Sequence, residues 1–443
     1  MQKYLPHTTK DIKEMLQVIG IDSLNDLFHN IPKALVSNQP YNIPNSLSDL
    51  ELTKHLTNLS NKNNVLTSFR GYGAYDTYTP SLVKSLMNRQ EFLTSYTPYQ
   101  PEVAQGTLQY IFEYQSMITE ITGMDVTNAS MYDGATSTAE AMFMALAKTK
   151  RKKVLYSKTI LPRTVEVFKT YGKYRGVEFV EIDELDGITN FDLLNLNLDD
   201  AACLILQNPN YLGNIEDLNN LSNLLKENGV LLILNTDITS LALLKTPKEL
   251  GVDIVTGDLQ TLGIPLSFGG PYIGFLATNK SLVRLMPGRV CGITNDIDGK
   301  RAFVLTLQAR EQHIRRKDAN SNICSNQSLM ALSVSIYLSL LGKNGFKDLA
   351  NLSLNGAYYL KNELLKTKLF KLKYNKPHYR EFVLESSLEA KPFLSYLSKN
   401  GILGPKYLGY NLYLFAVTEK RTKEEIDNFV KIVREYKWNI MIN

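Results

Sequence analysis

Residues 230–265 have the sequence VLLILNTDITSLALLKTPKELGVDIVTGDLQTLGIP, which decides the class of fold. Two apolar runs, Val230–Leu234 and Asp253–Val255, have the length and composition of buried strands. Between them, Leu241–Glu249 has apolar residues at helical spacing, so we expect a helix there. A strand, a helix and a second strand form a βαβ unit, in which the two strands are parallel.

The same alternation continues on both sides of this segment. Helical patterns at Pro162–Tyr171 and Ile215–Glu227 lie between further short apolar runs. These runs are predicted strands at Val154–Tyr156, Glu178–Ile182, Cys203–Leu206 and Tyr272–Ala277. We therefore predict an α/β fold with a mostly parallel, doubly wound sheet, in a large domain at residues 67–325. Functional sites in such sheets lie at the carboxyl ends of the strands.

Two smaller regions flank this domain. Residues 1–66 contain short amphipathic helical patterns that cannot form a large core alone, so we predict a helical arm that packs on a main body or on a partner. Residues 326–443 begin with an apolar helix, Gln327–Leu341, that ends at Gly342. Mixed strand and helix patterns follow it, so we predict a small C-terminal α/β domain.

Composition excludes several classes of protein. The 443 residues are 44% hydrophobic and 21% charged, which excludes a disordered chain or a fibre. A net charge of +5 is mild for this length, so we expect no nucleic-acid binding. The apolar run Leu329–Leu341 is shorter than the ~20 residues needed to cross a bilayer. Three widely spaced cysteines and no signal-peptide pattern favour a cytoplasmic protein without membrane attachment.

Common catalytic motifs are missing from the sequence. There is no G-x-x-x-x-G-K-[ST] phosphate loop and no G-x-S-x-G nucleophile elbow. Gly71-Tyr72-Gly73 lacks the third glycine of a dinucleotide-binding motif. The five histidines have no spacing typical of metal ligands, so we expect no metal site.

Three polar or glycine-containing segments remain as candidates. Gly71–Asp76 (GYGAYD) is a close-approach loop or a plain turn. Residues 95–106 contain two prolines that stiffen a Tyr- and Gln-rich loop, with Glu102 expected in the first turn of a helix running to Ile121. Residues 131–141 open an Ala-rich helix whose N-terminus suits a phosphate, but an ordinary N-cap by Asp133 or Thr136 is the simpler interpretation.

The fourth candidate is a pair of positions after two neighbouring predicted strands. Asp237 follows the first strand, and Gln260 lies in the loop after the second. In pyridoxal phosphate enzymes of the aspartate aminotransferase fold, an acid at the first position pairs with the pyridinium nitrogen, and a lysine at the second forms the Schiff base. Here the acid is present, but no lysine occurs between Lys248 and Lys280.

Together these segments resemble the glycine decarboxylase P-protein family, in particular subunit 1, the alpha chain of its two-chain form. The resemblance covers essentially the whole chain and is strongest over residues 67–345. It rests on GAYD (73–76), YTPYQPE (96–102), ITGMDVTNASMYDG (121–134), LGIPLSFGGPYIGF (262–275) and the long stretch from MPGRVCG to CSNQSL (286–329). The resemblance implies the fold type I architecture of pyridoxal-phosphate-dependent transferases.

The resemblance also implies a function that needs a partner. P-protein decarboxylates glycine with pyridoxal phosphate and passes the aminomethyl group to the lipoyl arm of H-protein. In the two-chain form, alpha and beta chains form an α2β2 heterotetramer, and the beta chain carries the Schiff-base lysine. On this match Gln260 stands where that lysine would be, so this chain is expected to hold no covalent cofactor. The chain departs from the family pattern at Tyr72, Ala135 and Leu161, and the last change argues against an essential proton carrier there.

The expected site residues fall into three sets, with no certain catalytic residue in this chain. The interface or active-site loop comprises Tyr96, Thr97, Tyr99, Gln100 and Glu102. A degenerate cofactor site comprises Asp133, Gly134, Thr136, Asp237 and Gln260. Candidates for binding an anion or a partner in the Arg-rich segment are Arg289, Arg301, Arg310 and Arg315. Two alternatives stay open: a purely structural subunit, and an autonomous enzyme that uses another lysine, such as Lys245.

Overall fold

The computed structural model describes residues 4–37, 39, 41–194 and 197–442, with side chains described up to Tyr436. The chain divides into two compact units that meet in the sequence at Asn64 and Val65. In the first unit, the helices Thr9–Ile19 and Asp49–Ser60 each begin with a capping box, formed by Thr8 with Asp11 and by Ser48 with Glu51. Short 3-10 helices between them span Leu24–Phe28 and Lys33–Leu35.

The second unit is built around a seven-stranded sheet. Five neighbouring strands are parallel, and the strands Gly274–Thr278 and Val126–Thr127 continue the sheet in antiparallel pairings. In spatial order the strands are Val126–Thr127, Gly274–Thr278, Ile254–Asp258, Leu231–Asn235, Ala201–Gln207, Lys153–Ser157 and Glu178–Ile182. The sheet is thus the mostly parallel one that the alternating pattern predicts.

Apolar side chains on both faces of the sheet form two cores. Leu232 and Leu234 pack into one core, and Ile233 between them packs into the other, as the period of two in a strand requires. Helices that cover the sheet are Gln105–Thr122, Gly134–Thr149, Pro162–Lys173 and Leu221–Glu227. Short helices span Ser81–Met87, Gln90–Leu93 and Phe191–Leu194. Because both faces are covered, polar groups at the strand ends are left to form the site.

Two predicted helices differ from the structure. Leu241–Glu249 is not a helix: a 3-10 turn spans Ile238–Ala242, and Pro247 disfavours helical geometry in the residue before it. The helix predicted at Ile215–Glu227 begins only at Leu221. The preceding backbone N–H groups have other partners, since Glu216 N–H donates to Asn208 Oδ1 at 3.0 Å.

The C-terminal part forms a second, smaller lobe. Its four-stranded antiparallel sheet is covered by the helices Ala390–Lys399 and Lys423–Ile442. The strands are, in spatial order, Lys371–Leu372, Glu381–Glu385, Leu412–Ala416 and Lys406–Gly409. A parallel pair, Thr67–Ser68 with Ile402–Leu403, joins the start of the second unit to this lobe. The remaining two-stranded pairs are Glu184–Leu185 with Ile188–Thr189, and Val290–Asn295 with Arg301–Thr306.

A long helical segment, Ser328–Lys366, connects the large sheet with the small lobe. It is interrupted at Gly342, whose φ of 58° and ψ of −173° are not helical, so the predicted helix end at this glycine is confirmed. By length and composition this segment could cross a membrane. However, Ala331, Val334 and Tyr337 are buried in the core, which is the arrangement of a core helix.

Candidate functional site

A small polar pocket lies at the carboxyl ends of the strands Leu231–Asn235 and Ile254–Asp258. Asp237 and Gln260 line it together with Asp258, and the loop Gly71–Asp76 contributes Gly73 and Tyr75. The cavity has a volume of about 60 Å³. The structure therefore brings Asp237 and Gln260 to the place where sites in open α/β sheets form.

Gln260 is held by three hydrogen bonds of its side-chain amide. Its Nε2 donates to the carbonyl oxygens of Tyr75 at 3.0 Å and of Ile264 at 2.8 Å. Its Oε1 accepts from the backbone N–H of Tyr75 at 2.9 Å. The residue is 1% exposed, so this buried amide fixes the backbone of Tyr75 through hydrogen bonds to both its N–H and its carbonyl group.

Asp237 is paired with Arg380, a residue that the sequence analysis did not identify. The Arg380 guanidinium donates to the Asp237 carboxylate and to Thr239 Oγ1, and it stacks 4.4 Å from the centroid of the Tyr75 ring. Burial lowers the pKa of Arg380, but the Asp237 carboxylate outweighs it, and the pKa is raised well above its usual range. The arginine is therefore a permanent cation beside Asp237.

Glu381, next to Arg380, binds the other side of Tyr75. Its carboxylate accepts from the Tyr75 hydroxyl at 2.7 Å and from the backbone N–H of Tyr72 at 2.7 Å. Burial raises the pKa of Glu381 to about 7. No local pattern marks Arg380 or Glu381, because both bind residues that are far away in the sequence.

The N-terminus of the helix Gly134–Thr149 is occupied by carboxylates. Asp133 is the N-cap: its Oδ1 accepts from the backbone N–H of Thr136 at 2.7 Å, and its Oδ2 from the Thr136 hydroxyl at 3.1 Å. Gly134 packs against Asp258, since a Cβ atom at this glycine would lie 2.7 Å from Asp258 Oδ2. Burial, and then the charge of Asp133, raises the pKa of Asp258 to about 7. Asp258 thus links this helix end to the pocket of Asp237 and Gln260.

The groups in this pocket can be compared with those that pyridoxal phosphate requires. The cofactor needs an amine for its carbonyl carbon, a free carboxylate for its ring nitrogen and an anion-binding site for its phosphate. The pocket offers a hydrogen-bonded amide at Gln260, a carboxylate already paired at Asp237, and acidic groups at Asp133 and Asp258. The residues present therefore do not fit the cofactor.

The predicted interface or active-site set lies in the exposed loop 95–103. Tyr96 is 83% exposed, and Thr97, Gln100 and Tyr99 line an open groove of about 430 Å³ with it. Glu102 is exposed and lies in a turn, so its predicted place in the first helical turn is wrong. The helix begins at Gln105, because Ala104 has non-helical dihedral angles (φ −116°, ψ 21°).

Arg289 ties this loop to the Arg-rich segment. Its Nη2 donates to the Tyr99 hydroxyl at 3.1 Å, and its Nε lies 3.9 Å from the Glu311 carboxylate. Both charged side chains are nearly completely buried. His313 Nδ1 lies 3.5 Å from the same carboxylate. Arg289 therefore already has an acidic partner, Glu311, within the chain.

The other three predicted arginines differ in their burial and in how close they lie to Glu311. Arg310 is half-buried, donates to the Met286 carbonyl oxygen, and has no described partner for its Nε and Nη2 atoms. Arg301 and Arg315 are exposed on the surface. The structure thus brings Arg289 and Arg310 close to Glu311, and leaves Arg301 and Arg315 outside this group.

Comparisons with known proteins agree with this architecture. The model of the family "glycine cleavage system P-protein" matches residues 2–433. A probable glycine dehydrogenase (decarboxylating) subunit 1 of Bacillus cytotoxicus is 46% identical over 440 residues, which cover 97% of this chain and 98% of that protein.

Solved structures are similar to this chain as well. A crystal structure of glycine decarboxylase (P-protein) of the glycine cleavage system, in inhibitor-bound form, matches with a TM-score of 0.90 and 38% identity, over 98% of this chain and 100% of that one. A glutamate decarboxylase of Lactobacillus brevis, 12% identical with a TM-score of 0.68, covers 91% of this chain and 96% of its own, and shows the fold alone. The fold is that of pyridoxal-phosphate-dependent fold type I enzymes. The chain therefore belongs to the glycine cleavage system P-protein family.

Proposed function

We propose that this chain is one subunit of a two-chain glycine dehydrogenase (decarboxylating). In this proposal a second subunit, the beta chain, holds pyridoxal phosphate covalently, and the two chains form an α2β2 heterotetramer. The assembly decarboxylates glycine and transfers the aminomethyl group to the lipoyl arm of H-protein. Pyridoxal phosphate, when bound, supplies the electron sink that this decarboxylation requires. The name "subunit 1" of the 46%-identical relative supports a second subunit.

One observation supports this proposal: Gln260 lies in the loop after the strand Ile254–Asp258, the position that we assign to the cofactor lysine of the family. Its amide is engaged with Tyr75 and Ile264, and no lysine is among the described residues that line the pocket. A family member that lacks this amine needs another chain to bind the cofactor.

The loop 95–103 supports a shared site. Tyr96 and Val103 are 83% and 82% exposed and line the same open groove, so this loop offers adjacent apolar surface to a partner. Tyr99 is anchored by Arg289, so the loop presents these side chains from a fixed base. We propose that this loop lines the active site of the beta chain, next to glycine or to the lipoyl arm.

The test is co-expression of this chain with its subunit 2, followed by size-exclusion chromatography and a glycine–bicarbonate exchange assay with lipoylated H-protein. We expect a stable complex that exchanges bicarbonate, and no exchange by this chain alone. Exchange by this chain alone, or separate elution of well-behaved monomers at micromolar concentration, would contradict the proposal.

A purely structural subunit is the second candidate, and the filled pocket of Asp237 and Gln260 favours it. Complexes with Tyr96→Ala or Tyr99→Ala distinguish the two candidate functions. If the subunit is purely structural, these complexes should keep the full glycine–bicarbonate exchange rate as long as they assemble. Nothing favours an autonomous enzyme with Lys245 as the cofactor lysine. Its side chain is exposed, and its Nζ donates to Asn219 Oδ1 at 3.0 Å.

We further propose a cytoplasmic location. Cys203, Cys291 and Cys324 are all free thiols, and the first two are buried in the core. Free thiols in a protein of this size are typical of a reducing compartment. Fractionation of the source cells, with immunodetection of the chain, tests this.

A further inference from the structure

We propose that the pocket of this chain is closed to pyridoxal phosphate, free as well as covalent, and that the same residues brace the small lobe against the large sheet. The inference concerns this chain alone and does not rest on the proposed partner. Three positions that a cofactor would need are occupied by groups of the chain itself.

The first position is that of Gln260. A glutamine amide has two N–H donors and one oxygen acceptor, and here both donors and the acceptor are used within the protein. A ligand carbonyl or other acceptor would have to displace one of the two hydrogen bonds that Nε2 donates. Replacing glutamine by lysine would add an amine but would also release the backbone of Tyr75.

The second position is that of the Asp237 carboxylate. Arg380 supplies a cation there, where the ring nitrogen of a cofactor would otherwise be the partner. The guanidinium is 2% exposed and cannot lose its proton, so a ligand that displaced it would leave a buried, unpaired charge. The Tyr75 ring, stacked on the guanidinium, closes the pocket further.

The third position is the N-terminus of the helix Gly134–Thr149. Asp133 caps it, and Asp258 packs against Gly134, so a phosphate would meet two acidic groups. The remaining cavity of about 60 Å³ has room for only a few water molecules. Sites for cofactors commonly have volumes of about 300 Å³ or more.

The same contacts connect the two lobes through the loop Gly71–Asp76. Gln260 holds the backbone of Tyr75 from the large sheet, while Glu381 holds its hydroxyl from the small lobe. Asp76 accepts from Lys420 Nζ at 2.7 Å and from Arg421 Nη2 at 3.1 Å. The loop is thus fixed from both sides, and this is the role that we assign to Gln260 and Glu381.

The ligand test uses the full chain and pyridoxal phosphate itself. Equilibrium dialysis, absorbance spectra, and peptide mapping after borohydride reduction are applied to the wild type and to Gln260→Lys. We expect no saturable binding at millimolar cofactor, and no stoichiometric pyridoxyl adduct at position 260 in the variant. One equivalent of bound cofactor in either protein, mapped to this pocket, would overturn the inference. The wild-type measurement stands even if the variant fails to fold.

The brace is tested by hydrogen exchange. Gln260→Met keeps the side-chain volume but removes the acceptor of the Tyr75 amide, so we expect exchange of residues 71–76 to rise at least tenfold. Gln109→Met, on the surface of the helix Gln105–Thr122, is the matched control and should leave this loop unchanged. Unchanged exchange of the Tyr75 amide in a folded Gln260→Met protein would refute the brace.

Discussion

Arg380 and Asp237 form a nearly buried ion pair although 143 positions separate them in the chain. The arginine belongs to the small lobe and the aspartate follows a strand of the large sheet. A buried pair contributes little net stability when both partners are present, but removing one leaves the other charge uncompensated. We therefore expect the pair to favour this arrangement of the two lobes over others.

Replacing Arg380 tests this coupling. Arg380→Met keeps the apolar stem but leaves the Asp237 carboxylate without its ion-pair partner, so we expect a loss of roughly 3 kcal/mol in the free energy of unfolding. Urea denaturation of the full chain measures it. Lys420→Met, which removes a half-exposed partner of Asp76, is the control and should cost no more than about 1 kcal/mol. Equal, small losses in both variants would contradict the coupling.

Glu381 predicts a dependence of stability on pH. Its folded-state pKa of about 7 lies above the ordinary value of 4.5 for an unfolded chain. A carboxyl group with a raised pKa contributes its full stability below the unfolded pKa and loses it as the pH rises through the folded pKa. The melting temperature should therefore fall between about pH 5 and pH 8.

Glu381→Gln isolates the contribution of this group. The variant cannot ionise, so its melting temperature should fall less over the same pH range, with a difference on the order of 2 kcal/mol in stability. Glu385→Gln, at an exposed position on the same strand, serves as the control and should follow the wild type. Parallel curves for all three proteins would show that Glu381 is not the responsible group.

Two glycines at helix starts are expected to respond oppositely to alanine. At Gly134 a Cβ atom would lie 2.8 Å from the backbone nitrogen of Asp258, so Gly134→Ala should destabilise the chain by about 1–3 kcal/mol. At Gly106 a Cβ atom would meet nothing within 4 Å, so Gly106→Ala should stabilise the helix by about 0.4–1 kcal/mol. Thermal melts of the two variants give the comparison. A stabilising Gly134→Ala would show that Asp258 moves freely.

The pocket shows which parts of this molecule follow from sequence. The strand Leu231–Asn235 that ends before Asp237 is a nearly continuous apolar run, because a parallel sheet is buried on both faces, and such a run is recognisable locally. The helix expected at Leu241–Glu249 has the right spacing of apolar residues, but Pro247 interrupts it. Periodicity alone does not detect such a backbone restriction.

The partners of the pocket residues, in contrast, cannot be recognised from the sequence. Tyr75 lies 185 positions before Gln260 and 306 before Glu381, and no spacing rule connects residues across such distances. Arg380 follows three other basic residues, Lys371, Lys373 and Lys376, and no spacing distinguishes it from them. The sequence therefore indicates which residues could form a cofactor site, while only the packing of the two lobes shows that these residues bind one another.

Tyr99 carries a prediction for the activity of the assembled enzyme. Its hydroxyl accepts from Arg289, so Tyr99→Phe should loosen the loop 95–103 without breaking the Arg289–Glu311 pair. We expect the glycine–bicarbonate exchange rate of the complex to fall about tenfold, equivalent to ~1.4 kcal/mol, with little change in melting temperature. Tyr174→Phe, at an 87% exposed position, is the control. Full activity of Tyr99→Phe at sub-saturating H-protein would remove the loop from the proposed site.

The N-terminal unit gives a prediction for assembly. Val18 and Leu50, on its two α-helices, are 89% and 78% exposed, and Leu16 is the one apolar side chain in the described part of this unit that is buried. Apolar helix faces of this kind are typical of obligate interfaces, which commonly bury 2,000 Å² or more. Val18→Gln and Leu50→Gln should therefore leave the melting temperature of the isolated chain unchanged.

The same two variants should weaken binding to subunit 2. Each removes apolar area that the proposed interface covers, at ~25 cal/mol per Å², so we expect a roughly tenfold higher dissociation constant for the double variant. Lys54→Gln, at an exposed polar position on the helix of Leu50, controls for surface substitution as such. Sedimentation of mixtures with subunit 2 gives the dissociation constants. Equal affinities for the wild type, the control and the double variant would show that the helical arm lies outside the interface.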